Sequence, residues 1–161
     1  MILKMILPDS LDQVPLDKSH QIFLAGSIEM GTAGDWQTSL VQEMVKFPPG
    51  SKPVTFYNPR RDSWDSSWEQ SISNPQFRYQ VNWELDKLEA SDTIFMYFDP
   101  KTKSPISLLE LGMFASSSKM IVVCPDGFWR KGNVEIVCDR NRIELFNSIE
   151  QSLEALKRKL V

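Results

Sequence analysis

The sequence predicts an α/β domain of the flavodoxin-like or Rossmann-like kind, with about five mostly parallel strands flanked by helices. Two observations carry this prediction. Short apolar segments form unbroken runs, which is typical of strands that are buried on both faces of a parallel sheet. Segments with helical spacing lie between these runs, and such alternation indicates a parallel sheet covered by helices. The sequence contains no internal repeat and no low-complexity stretch.

The elements follow one another regularly along the chain. Apolar runs bounded by turn residues predict the strands, which cover 21–25, 54–57, 93–98 and 120–124, with 134–137 as a fifth, edge strand. Apolar spacing of three and four residues predicts the helices, which cover 36–45, about 77–90, 105–118 and 148–160. A polar loop joins the second strand to the second helix, from Arg60 to about Pro75. We assign residues 1–19 to an N-terminal extension or edge segment and residues 20–161 to the α/β domain.

Composition narrows the class of protein. The chain has 161 residues, 42% of them hydrophobic and 24% charged, which is ordinary for one soluble globular domain. The formal net charge of −3 gives no basic surface for a nucleic acid polymer. Neither a secretory signal nor a membrane-spanning run is present, and we expect no membrane partner. Cys124 and Cys138 do not form a disulfide framework, so we expect a reduced, cytoplasmic setting.

The sequence indicates neither a cofactor nor a metal. His20 is the single histidine and lies in a polar lead-in, which argues against Ser–His catalysis and against a site with several histidine ligands. The segment from Gly26 to Gly31 has neither the spacing of a dinucleotide fingerprint nor the lysine of a phosphate loop. We therefore expect no cofactor and no bound metal.

Glu110 is the most informative residue of the chain. It lies in segment 104–115, which is predicted to be a helix with nearly all faces apolar. A helix that is apolar all round is a buried one, and an unpaired buried carboxylate is costly. A protein tolerates that cost most readily where the carboxylate has chemistry to perform.

A second carboxylate is predicted to point inward. Glu84 lies three residues after Val81 and four before Leu88, two members of the apolar stripe of the helix at 77–90. The polar face of that helix is already filled by charged residues, namely Asp86, Lys87 and Glu89. Two inward carboxylates on different helices suggest a nucleophile and a general acid/base, the pair that cleaves glycosidic bonds.

The site itself is expected outside the carboxyl ends of the strands, where open parallel sheets bind their ligands. The residues that follow the apolar runs there are polar or flexible: Gly26, Ser27, Asn58, Asp99 and Asp126. Turn chemistry is the alternative interpretation for each of them. Arg60 and Arg61 follow the second strand and are interpreted as a solvated pair.

Three segments in register carry a family resemblance. They are Ile22–Ile28, Val81–Glu84 before Asp92, and Leu109–Gly112. Glu84 precedes Asp92 by 8 residues (92 − 84), and Asp92 precedes Glu110 by 18 (110 − 92). Over about residues 20–138 the chain resembles the nucleoside 2-deoxyribosyltransferase-like family and its deoxynucleotide N-glycosidase relatives.

The resemblance implies a double-displacement reaction. It also implies a role in nucleotide metabolism and salvage. Glu110 would attack the anomeric carbon to form a glycosyl-enzyme ester, and Glu84 would exchange a proton with the base. Transfer to a free nucleobase or hydrolysis by water would complete the reaction. Family members usually form homo-oligomers with shared active sites, to which a neighbouring subunit contributes an asparagine. Asn133 is the matching residue, and a turn role beside Gly132 is its alternative.

The resemblance leaves the substrate open. Substrate-binding roles are implied for Gly26, Ser27, Asn58, Ser104 and Asn133. Ser104 stands six residues before Glu110 (110 − 104), where transferases place an acid for the 5′-hydroxyl and nucleotide N-glycosidases a serine for the 5′-phosphate. Ser27 also matches a phosphate-holding serine, yet Glu29 replaces the arginine of that motif, and Glu84 replaces an aspartate.

Three functions therefore remain as hypotheses. The first is transfer of a (2-deoxy)ribosyl group between nucleobases, and the second is hydrolysis of (deoxy)nucleoside 5′-monophosphates by the same carboxylates. The third is a catalytically inactive nucleotide-binding or signalling module. A purely structural alternative exists for Ser104, since it precedes Pro105 and fits a helix N-cap.

Overall fold

The protein is described by a computed structural model over residues 2–29, 32–48, 52–61 and 67–161. In these ranges the strands are β1 (Leu3–Ile6), β2 (His20–Gly26), β3 (Val54–Tyr57), β4 (Thr93–Tyr97), β5 (Met120–Val123) and β6 (Glu144–Phe146). The helices are α1 (Trp36–Val45), α2 (Pro75–Ala90), α3 (Pro105–Phe114), α4 (Lys131–Asn141) and α5 (Ile149–Leu160). A short 3₁₀ turn, Ala115–Ser117, extends α3.

The strands form one parallel sheet in the order β1-β3-β2-β4-β5-β6. Strand β2 pairs with β3 on one side and with β4 on the other, so that Gly26 lies opposite Tyr97. The chain moves outward from β2 to β3, then crosses back over β2 to place β4. The strand order therefore reverses between β2 and β4, and ligands of such sheets bind in the crevice at that point.

Two apolar cores cover the faces of the sheet. On one face α2, α3 and α4 pack through a set that includes Trp83, Leu88, Leu111, Val134 and Cys138. On the other face α1 and α5 pack through Trp36, Leu40, Met44, Ala155, Leu156 and Leu160. The α/β architecture with a parallel sheet was predicted from the unbroken apolar strands, and the structure confirms it.

The predicted edge strand at 134–137 is wrong. These residues lie in α4, where Val134 and Cys138 are buried one helical turn apart. The four-residue spacing of these two side chains was the decisive signal, and the β-branched residues between them obscured it. The sixth strand is instead Glu144–Phe146, which pairs with β5 and is too short to show a pattern in the sequence.

Other boundaries differ from the predictions by a few residues. Helix α2 begins two residues earlier than expected, because the Asn74 side chain accepts a hydrogen bond from the Phe77 N–H and Pro75 occupies the first helical position. Residues 62–66 of the predicted loop lie outside the described residues. Residues 3–6 of the N-terminal segment form the edge strand β1, paired in parallel with β3.

No helix in the described part of the chain has both the length and the apolar character that crossing a bilayer requires.

Candidate active site

A cavity of about 140 Å³ lies where the strand order reverses, beside the ends of β2 and the start of α3. Its wall contains both predicted catalytic carboxylates, Glu84 from α2 and Glu110 from α3. The other lining residues are Phe23, Ala25, Gly26, Ile28, Glu29, Pro59, Ser104, Ile106 and Ser107. Two helices that pack on the same face of the sheet thus bring the two acids into one space.

Glu110 is buried, but the helix that carries it is not buried on all sides. The side chain of Glu110 points inward and the residue is 7% exposed, whereas Ile106, Leu109 and Met113 are 60%, 61% and 52% exposed. The expectation of a wholly buried α3 is therefore wrong. One apolar face of α3 lies on the surface, so the apolar pattern reflects two different environments. Burial, reinforced by the nearby charge of Glu84, raises the pKa of Glu110 to about 8.

Glu84 shares this environment. Burial raises the pKa of its carboxyl to about 7, although a hydrogen bond from Gln80 acts in the opposite direction. Because the charge of Glu84 opposes the ionisation of Glu110, the two carboxyls lose their protons one after the other, and both do so at a higher pH than an exposed glutamate. Once one proton has been lost, the cavity holds one carboxylate and one carboxylic acid, the two groups that a nucleophile and a proton donor require.

Gln80 is a site residue that the sequence interpretation missed. Its Nε2 donates to Glu84 Oε1 at 2.7 Å and to the Pro59 carbonyl at 3.3 Å, and the residue is 1% exposed. Arg61 Nη1 donates to Gln80 Oε1 at 3.3 Å. The sequence signal that could have identified Gln80 is its position four residues before Glu84 on the same helix, since side chains at this spacing are neighbours.

The two arginines after β3 are not a solvated pair. The side chain of Arg61 is 15% exposed and lies over the ring of Trp68, 5.2 Å from its centre. Arg60 donates to the carbonyls of Ala33 and Gly34. Both guanidinium groups are thus used inside the fold, because each finds oxygen acceptors on neighbouring loops.

Three hydroxyl groups form a buried cluster at the start of α3. Ser27 Oγ lies 2.6 Å from Ser104 Oγ and 2.9 Å from Thr102 Oγ1, and the Thr102 and Ser104 hydroxyls are 2.7 Å apart. The Asp99 N–H donates to Ser27 Oγ at 2.8 Å. The structure therefore brings the two predicted serines together, with Thr102 as a third member that no sequence motif had indicated.

Glu29 occupies the amino-terminal end of α3. Its carboxylate accepts hydrogen bonds from the Lys103 N–H at 2.7 Å and from the Ser104 N–H. Ser104 stands at the N-cap position with left-handed backbone angles, and its side chain makes no capping hydrogen bond. The interpretation of Ser104 as a side-chain cap is therefore wrong, since its hydroxyl turns toward Ser27 while Glu29 binds the helix end.

Gly26 is required by backbone geometry. Its φ angle is +128°, and a Cβ atom built there would lie 2.1 Å from the Tyr97 carbonyl oxygen. An L side chain fits neither the angle nor the space. The glycine thus lets β2 end against β4 and form part of the cavity wall.

The two predicted asparagines lie apart from this cavity. The Asn58 side chain accepts from the Arg60 N–H at 3.0 Å and contacts Met5 Sδ, while Pro59 forms the nearby cavity wall. Asn133 lies on α4 and lines a separate cavity of about 330 Å³ between α3 and α4. Of the strand-end acids, Asp99 is buried and Asp126 pairs with Lys131.

These features define a class of protein: a parallel α/β domain with paired buried carboxylates at its topological switch point. Residues 19–128, more than half of the chain, match the family described as nucleoside 2-deoxyribosyltransferase like. The chain belongs to the nucleoside 2-deoxyribosyltransferase-like family, as its sequence motifs had indicated.

Comparison with solved structures supports the fold. The chain is similar to a conserved protein from Enterococcus faecalis V583, with a TM-score of 0.61 and 15% sequence identity. The similarity covers 88% of this chain and 99% of the other. At this identity the likeness concerns the fold alone. A comparison with curated protein sequences gave no match.

Proposed function

We propose that this protein is an enzyme that cleaves the N-glycosidic bond of a nucleoside and transfers the (2-deoxy)ribosyl group to another nucleobase. One observation carries the proposal. Glu84 and Glu110 come from separate helices and line one cavity, where burial raises the pKa of both carboxyls. The family supplies the reaction class, because it is described as nucleoside 2-deoxyribosyltransferase like.

The first half-reaction starts from the form that has the proton on Glu84 and a carboxylate on Glu110, which is the less populated of the two singly protonated forms because the pKa of Glu110 is the higher one. In this form the Glu110 carboxylate attacks the anomeric carbon. A bond forms between a Glu110 oxygen and this carbon, while the bond between the carbon and the base nitrogen breaks. The electron pair of the broken bond stays on the base, which takes the proton of Glu84. The sugar is then held as an ester of Glu110, with an oxocarbenium-like transition state on the way.

In the second half-reaction the incoming base attacks the same carbon and the Glu110 ester bond breaks. The Glu84 carboxylate takes the proton that the attacking nitrogen loses, which restores the starting protonation state. With water as the acceptor the same sequence is hydrolysis. Transfer therefore requires a second base to reach the cavity before water does.

The contacts of Glu29 support an uncharged nucleoside as the substrate. Its carboxylate already fills the amino-terminal end of α3, the place where a helix binds an anionic group. A 5′-phosphate approaching Ser27 and Ser104 would meet that negative charge.

A different observation favours the second candidate, hydrolysis of a nucleoside 5′-monophosphate. This observation is the cluster of hydroxyls formed by Ser27, Ser104 and Thr102.

Two observations support a homo-oligomer with shared active sites. The cavity volume of about 140 Å³ is below the range of roughly 300–1,000 Å³ typical of small-molecule sites. Ile106, Leu109 and Met113 also present an exposed apolar face on α3. A second copy packed on this face would enlarge the wall and bring in its own Asn133, which lies outside its own cavity.

The experiment is an incubation of the purified protein with deoxyinosine and adenine, followed by chromatography. New deoxyadenosine supports transfer, whereas free hypoxanthine with deoxyribose supports hydrolysis. Glu110→Gln is expected to abolish either activity, and Glu135→Gln on the exposed face of α4 is the matched control. Ligand binding without turnover in the wild type would favour the inactive binding module.

A further inference from the structure

Gln80 is a neutral side chain held in one orientation by three partners. Its Nε2 faces the Glu84 carboxylate and the Pro59 carbonyl, and its Oε1 faces Arg61. A guanidinium group only donates hydrogen bonds, and a carbonyl oxygen only accepts them. The amide of Gln80 therefore has one satisfied orientation, with an N–H pointing at Glu84 Oε1.

Arg61 is in turn restrained on the side away from Gln80. Its Nη2 lies 3.9 Å from Asp9 Oδ2, and its guanidinium stacks on Trp68. These contacts keep a group with donors only against Gln80 Oε1. The order of contacts from the N-terminal segment to the cavity is thus Asp9, Arg61, Gln80 and Glu84.

We propose that Gln80, oriented by Arg61, is a positioning residue that directs the proton of Glu84 to Oε2 and stabilises the carboxylate left after proton transfer. Because the Gln80 N–H points at Oε1, a proton on that oxygen would face another donor. When the O–H bond at Oε2 breaks and the proton passes to the base, the charge that develops on Oε1 is stabilised by this hydrogen bond. The catalytic part of this inference rests on the proposed function.

The remaining charges around Glu84 come from several elements. Glu110 on α3 and Glu29 before α1 share the cavity, and Arg61 lies behind Gln80 with Asp9 beyond it. Gln80 is the neutral member of this group. A Gln80→Met change therefore removes the hydrogen bond to Glu84 without changing the charge of any group, although it also removes the acceptor of Arg61 Nη1.

The test is a ¹³C NMR titration of glutamate side-chain carboxyls in the protein without substrate, with the Glu84 signal assigned through Glu84→Gln. In Gln80→Met the Glu84 pKa is expected to rise by about one pH unit, the size expected for a lost hydrogen bond to a charged group. The control is Gln76→Met, the same change one helical turn earlier at an exposed position. An unchanged Glu84 titration in Gln80→Met, or an equal shift in the control, overturns the inference.

A second pair of variants keeps the test decisive if Gln80→Met does not fold. Arg61→Met is expected to raise the Glu84 pKa, as Gln80→Met does. Arg61→Lys keeps a donor-only group, so the Glu84 pKa in this variant is expected to return toward the wild-type value. Equal titrations in these two variants contradict the role of Arg61. Because the titration needs no turnover, an inactive wild type would overturn the proposed function and leave this measurement intact.

Discussion

The carboxylate of Glu29 accepts hydrogen bonds from the backbone N–H groups of Lys103 and Ser104, so the first turn of α3 already contains an anion of the protein itself. Glu29 also lies on the wall of the cavity that holds Glu84 and Glu110. A ligand that approaches the start of α3 therefore meets the Glu29 carboxylate, which is a hydrogen-bond acceptor. Without such a residue, the amino-terminal end of a helix would itself attract a negative charge.

This relationship predicts a change in substrate preference. Glu29→Gln removes the negative charge while keeping the length of the side chain, so we expect kcat/KM for a nucleoside 5′-monophosphate to rise relative to that for the nucleoside. The shift is expected to be on the order of tenfold, equivalent to about 1.4 kcal/mol in relative transition-state stabilisation. Initial rates with deoxyinosine and deoxyinosine monophosphate measure the ratio of the two kcat/KM values.

Asp35→Asn, an exposed change on the same loop, is the control. An unaltered ratio in Glu29→Gln would remove Glu29 from substrate selection.

The paired carboxylates predict a narrow pH optimum. One carboxyl must be ionised and the other protonated, so kcat/KM is expected to rise through about pH 7 and to fall above about pH 8. Glu84→Gln should lower the rate by roughly 10²–10⁴-fold and remove the descending limb, because the proton donor is lost. Initial rates between pH 5 and pH 10 test this expectation. A wild-type profile that stays flat over this range would contradict it.

Burial of Glu110 predicts an effect on stability as well. Its pKa is about 8 in the folded protein and near the ordinary value of 4.5 when unfolded, so the folded state holds a proton that the unfolded state loses. The associated stability is present below about pH 4.5 and is lost as pH rises to about 8.

Glu110→Gln cannot ionise, so its advantage over the wild type should grow with pH. We expect the difference in the free energy of unfolding to increase by a few kcal/mol between pH 5 and pH 8.5, since one pKa unit corresponds to about 1.4 kcal/mol. Urea denaturation at both pH values measures it, with Glu135→Gln as the control. A difference between Glu110→Gln and wild type that does not depend on pH would show that Glu110 ionises as freely in the fold as in water.

The two glycines Gly26 and Gly112 give a matched test of backbone geometry. Gly26→Ala places a methyl group against the Tyr97 carbonyl at a φ of +128°, so a loss of about 2 kcal/mol or more in the free energy of unfolding is expected. At Gly112, within α3, an added Cβ meets no atom within 4 Å. Gly112→Ala should therefore stabilise the protein by about 0.5–1 kcal/mol, through the better helix propensity of alanine. Urea denaturation distinguishes the two, and equal effects would refute the geometric reason.

Parts of the fold and of the site could be predicted because local pattern carried them. The apolar runs from Val54 to Tyr57 and from Thr93 to Tyr97 indicated buried parallel strands. Helix spacing also indicated that Glu84 points inward, although the buried residues of α2 are Gln80, Trp83 and Leu88, and Val81 of the predicted stripe is only partly buried. Where a local pattern admitted two structures, as at 134–137, the β-branched composition led to the wrong element.

The site contacts made between distant segments were beyond the reach of sequence patterns. Nothing local links Glu29 to Ser104, Arg61 to Gln80, or Ser27 to Thr102, because each pair meets only after the sheet has aligned its loops. The apolar surface of α3 was likewise invisible, since a buried and an exposed leucine are identical in the sequence. The sequence by itself determined the α/β class, most of the elements, the family and the inward direction of the two acids. Only the tertiary structure decided that these acids line one cavity and which neighbours orient them, because hydrogen bonding and burial depend on distances in space.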